Sequence, residues 1–70
     1  MSEQHYFRVN GMSSADCVYT LESAIKALKG VDKIEVDLET GMLLVNGDVS
    51  SGEIIAAVGG AGYNAILIAD

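Results

Sequence analysis

One cysteine, four basic residues and no long apolar run are the scarcities that first define this chain of 70 residues. A lone thiol cannot close an internal disulfide, so the staple on which small secreted domains depend is missing and a reducing compartment is expected. The four basic residues face ten acidic ones, a formal charge of -6, which repels phosphate backbones and anionic lipid headgroups. Nucleic acid and membrane surfaces are therefore poor partners. The opening stretch MSEQHYFRVN carries Glu3, Gln4 and Arg8, and no run reaches the length of a signal h-region or a membrane span. A cytoplasmic location is the expectation.

What is present is a balance of 50% hydrophobic and 20% charged residues, which suits a packed globule better than a disordered tail. A chain this short hides only about 60% of the surface its unfolded form exposes, so the core must be economical. Residues 1–70 are expected to form a single domain.

From Gln4 to Asn10 the sequence alternates, with Phe7 and Val9 on one face and Tyr6, Arg8 and Asn10 on the other, the period of a half-buried strand. Gly11 breaks the run. Ser13-Ser14-Ala15-Asp16 then fits a capping box, and a helix with Val18, Leu21, Ala24, Ile25 and Leu28 on its apolar stripe is expected to run to Lys29 and stop at Gly30. Ile34, Val36 and Leu38 alternate with charged residues in a second strand, and Glu39-Thr40-Gly41 turns the chain into a third. There Leu43 and Val45 should face inward, leaving Met42 and Leu44 as an apolar pair on the open face. Ser50-Ser51-Gly52-Glu53 is a second capping box, opening a shorter helix that should end near Gly59. The stretch YNAILIA closes the chain as a strand. Strand, helix, strand, strand, helix, strand, joined by right-handed crossovers, is an α+β ferredoxin-like βαββαβ sandwich with both helices on one face of a four-stranded antiparallel sheet.

This order puts Cys17 in the first turn of the first helix, with Gly62 and Tyr63 of the last loop nearby. Free N–H groups and the positive end of the helix dipole favour a thiolate, the form that binds soft metals, while Asp16 and the net charge oppose it with similar strength. His5 lies a whole strand away from Cys17 and is expected on the surface.

The segments VNGMSSADCV, VNGDVSSGEIIAAV and AGYNA resemble the heavy-metal-associated domain of copper chaperones and of metal-pumping P-type ATPases, over nearly the whole chain. In that family the strand-to-helix loop reads Gly-Met-x-Cys-x-x-Cys. Gly11, Met12 and Cys17 match it, and Ser14 stands at the first cysteine. The resemblance implies that Cys17 is a metal ligand, that Met12 tucks under the loop, and that Tyr63 is the aromatic residue set beside the metal. A serine hydroxyl is a poor ligand for a soft ion, so one chain cannot supply the two-sulfur Cu(I) site the resemblance otherwise implies.

Two readings follow. In the first, the chain binds Cu(I), or in second place Zn(II), through Cys17 with a further ligand brought in trans by a P-type ATPase domain, a second copy or a small thiol. In the second, the chain has lost metal binding and kept the scaffold as a protein-interaction domain, using the Met42 and Leu44 pair. Enzymatic activity is not expected, because the sequence offers no second cysteine for a redox pair and no histidine within reach of the thiol. RNA binding is not expected either, since the sheet is poor in the aromatic and basic residues that stack on and pair with bases.

Overall fold

A computed structural model describes residues 3–69. The elements are β1 (Glu3–Asn10), α1 (Ala15–Lys26), β2 (Val31–Asp37), β3 (Met42–Gly47), α2 (Ser51–Gly60) and β4 (Asn64–Ala69). They form one antiparallel sheet in the order β2-β3-β1-β4. Because β3 runs between the parallel pair β1 and β2, the sheet is the split βαβ arrangement expected from the sequence.

The alternation in β1 has the consequence its pattern requires. Phe7 and Val9 are buried under the helices, and they share that face with His5. Leu43 and Val45 of β3 pair against β1 as Phe7↔Leu43 and His5↔Val45 and are fully buried. Leu21 and Ile25 descend from α1, and Ile54 and Val58 from α2, to close the core with Val49 and Ala65. The sheet is thus dry on one face and open on the other, as a single layer of helices dictates.

Three expectations need correction. His5 is a buried residue, 4% exposed, and its Nε2–H donates to the Val49 carbonyl at 2.8 Å. The reason is period two: a residue two before Phe7 must point to the same face, and an imidazole is tolerated there because it finds a backbone acceptor. Second, α1 ends at Lys26, with Ala27 as its C-cap, and not at Lys29. Residues 27–30 form a turn in which Gly30 takes a positive φ of 92°, and Leu28 still packs against the core from it. Third, the two capping boxes do not both form. Ser50 and Glu53 make a complete one, each side chain meeting the other's backbone N–H at 3.2 Å, whereas Ser14 caps α1 by position alone, without a side-chain cap bond.

One end of the sandwich collects the β1–α1 loop, the β2–β3 turn and the α2–β4 loop. There the Val9 N–H donates to the Gly41 carbonyl at 2.7 Å, and Met12 and Tyr63 each pack against the core. Lys26, Lys29 and Lys33 stand at the other end, where α1 passes to β2.

Candidate metal centre

The chain leaves β1 at Asn10, turns at Gly11 and enters α1 at Ala15. Gly11 has φ 101°, a conformation that side chains rarely adopt. A Cβ at this position would also lie 3.3 Å from Cδ1 of Tyr63, so the missing side chain leaves room for the ring. Met12 is half-buried and packs against the core, which anchors the loop from below. Ser14 is the N-cap, extended at φ -153° and ψ 169°.

Three residues after that cap comes Cys17, half-buried, its N–H donating to the Ser14 carbonyl at 3.1 Å. The Ser14 hydroxyl, freed from capping, lies 3.7 Å from the Cys17 sulfur. The sulfur thus occupies the place that Glu53 fills in the second helix, the side chain at N3 that turns back toward the N-cap. Hydrogen bonds from the Tyr63 hydroxyl, the Ser13 backbone, the Ser14 hydroxyl and the Ser14 backbone together hold the thiol's pKa down at about 6, from an ordinary 9.0, against a smaller upward push from burial. Each donor stabilises the anion more than the neutral thiol. Tyr63 responds in the opposite sense: its hydroxyl is raised because it donates to Cys17, because it is partly desolvated, and because ionising it would set a second negative charge beside the first.

At pH 7 a thiol with a pKa near 6 is about nine-tenths thiolate, a soft, reactive sulfur anion at an accessible loop. Asp16, the adjacent carboxylate expected to oppose the thiolate, is not among the groups that shift it. Among the described residues no group of three or more His, Cys, Asp or Glu side chains could hold an ion. The fold brings the Ser14 and Tyr63 hydroxyls to the Cys17 sulfur, while Met12 packs against the core. The backbone donors of Ser13 and Ser14 leave no residue-type signal in the sequence, nor does the contact between Gly11 and Tyr63, which joins two loops about fifty residues apart in the chain.

A thiol-bearing strand-to-helix loop on a split βαβ sandwich defines a class of small domain, and comparison with known proteins identifies the family. The model of the heavy-metal-associated domain matches residues 6–64, and the chain belongs to that family. It is 37% identical over 65 residues to the copper chaperone CopZ of Bacillus subtilis, covering 89% of this chain and 94% of that protein. It is 39% identical over 59 residues to copper-transporting ATPase 2 of Rhizobium meliloti, covering 80% of this chain and 7% of that one. The crystal structure of a copper-binding domain from HMA7, a P-type ATPase, superposes with a TM-score of 0.92 at 29% identity over 99% of this chain and 96% of that domain. Several relatives are much longer: the chain spans 22% of the superoxide dismutase 1 copper chaperone of Debaryomyces hansenii.

Proposed function

We propose that the chain binds a soft heavy metal as cargo, Cu(I) in first place and Zn(II) in second, through the Cys17 thiolate, with the remaining ligand supplied by another molecule. The observation that carries this reading is the set of hydrogen-bond donors around one accessible sulfur, which keeps it ionised at neutral pH in a family whose relatives include copper chaperones and copper-transporting ATPases. Thiolate suits Cu(I) and Zn(II), and hydroxyl does not. Ser14, at the position of the family's first cysteine, therefore serves as a hydrogen-bond donor to the sulfur and leaves one coordination place for a visitor. That visitor is the metal-binding domain of a P-type ATPase, a second copy joined through Cys17, or a small thiol. Met12 positions the loop and Tyr63 tunes the sulfur. A cytoplasmic setting keeps the thiol reduced, no helix among the described residues is long and apolar enough to cross a membrane, and the role is binding and transfer rather than catalysis.

Native mass spectrometry of the reduced protein with Cu(I), alone and with a competing chelator, tests the reading. The expected species are one metal shared by two chains, or one metal per chain carrying a small thiol, both lost in Cys17→Ala. Metal retained unchanged in that variant rules the proposal out. The second reading, a scaffold used only for protein contacts, is favoured by Ser14 itself, and predicts that the isolated protein takes up no metal at all.

A further inference from the structure

The face of the sheet turned away from the helices carries an ordered pattern that metal binding does not use. Cross-strand pairing sets its side chains in rows. One row runs Glu35, Leu44, Tyr6, and the next runs Asp37, Met42, Arg8, Ile66. Read along the strands, β2 presents Lys33 and then the acids Glu35 and Asp37 toward its turn, β3 presents an apolar column, and β1 and β4 extend the apolar surface with Tyr6, Ile66 and Ile68 around Arg8. These last three are 37%, 50% and 52% exposed, large apolar side chains that no element of the described chain covers. A groove of about 820 Å³, floored by Met42, Leu44 and Tyr6 and rimmed by Glu35, Asp37 and Glu39, lies over the β2–β3 end of this face. That volume is within the range of clefts that hold a ligand.

We infer that this open face docks a cationic amphipathic helix of a partner protein, with the helix's apolar stripe lying over β3 and β1 and its basic flank over β2. Two features select this occupant. The apolar columns need a partner with a continuous apolar stripe, and a helix laid across a sheet supplies one, as α1 and α2 do on the other face. Glu35, Asp37 and Glu39 along this edge ask for lysine or arginine on the flank, and the net charge of -6 opposes a second copy of this chain. Lys33 neutralises part of the rim, pairing with Glu35 at 3.6 Å. Arg8, on β1, gives the face a direction: acid on one side, cation on the other, so that the helix is held in one orientation.

The test uses the full chain, isotopically labelled, and a fluorescent helical peptide with leucines along one stripe and arginines on one flank, together with two control peptides in which glutamate replaces arginine or alanine replaces leucine. Binding is followed by anisotropy and by amide chemical-shift mapping. The expected result is saturable binding to the first peptide alone, with shifts centred on Tyr6, Met42 and Leu44. Affinity should fall about tenfold or more in Leu44→Asp, at a half-buried position, and in Glu35→Lys/Asp37→Lys, at exposed ones, and remain unchanged in Cys17→Ala. Equal binding of the alanine control would reduce the effect to charge alone and overturn the inference, as would shifts confined to the Gly11–Cys17 loop, self-association through this face without peptide, or no saturable binding.

Discussion

The Ser14 hydroxyl and the Cys17 sulfur stand 3.7 Å apart across the first turn of α1. In the complete capping box of α2 the serine at the N-cap bonds the backbone N–H three residues on. In α1 the equivalent hydroxyl turns to a sulfur instead, so a motif that elsewhere only starts a helix here also polarises a thiol. With Tyr63 arriving from the α2–β4 loop, the sulfur is met from both ends of the chain.

The thiol should therefore ionise with a midpoint near pH 6, seen as thiolate ultraviolet absorbance or as the pH profile of alkylation by iodoacetamide. Tyr63→Phe removes the largest contribution and should move the midpoint up, and Ser14→Ala should move it up by less. A midpoint near the ordinary value in the native protein would contradict the geometry.

The same shift fixes how stability follows pH. The native thiol ionises near pH 6 and the unfolded one near 9.0, so between those values the unfolded chain holds the additional proton and stability rises with pH. The contribution is complete above the unfolded value and is lost as pH falls through 6. Urea unfolding of native protein and Cys17→Ala at intervals across that window should give curves that diverge as pH rises.

Gly11→Ala should disturb both the fold and the thiol. A side chain at φ 101° is strained, at about 1–2 kcal/mol, and its Cβ would press on the Tyr63 ring. Because the ring carries the hydroxyl that reaches Cys17, the variant should raise the thiol midpoint in the same direction as Tyr63→Phe. Chemical denaturation and thiol titration of one sample measure the two effects together.

Replacing His5 should be felt in stability and not in the thiol. Loss of the Nε2–H leaves the Val49 carbonyl without this donor in a buried site, a loss of about 1–3 kcal/mol before any cavity term. His5→Ala should therefore lower the urea midpoint markedly while the alkylation profile of Cys17 stays in place.

Ser14→Cys should convert a site that needs a visitor into one that is complete within the chain. A second thiolate three residues from the first makes the second metal bond intramolecular, which strengthens binding on the order of 10²-fold or more. Competition against a Cu(I) chelator should show that gain together with a change to one metal per single chain. An unchanged affinity would mean that the two side chains cannot converge on one ion.

Local pattern alone determined the six elements, their order and most of the core, because period two in Phe7 and Val9 and helical spacing in Leu21 and Ile25 record which face must leave water. It also determined that Cys17 begins a helix and that a second cysteine is lacking. Period two already sets His5 on the face of Phe7, but only the tertiary structure decided what satisfies it there, because the acceptor lies 44 residues away. Only the tertiary structure, too, decided the state of the thiol. The helix dipole and Asp16 were too closely balanced to resolve from residue types, whereas the largest contribution comes from Tyr63, a hydroxyl whose position depends on the return of β4 beside β1. Burial patterns are written in neighbouring residues; a hydrogen bond between loops exists only once the sheet has brought them together.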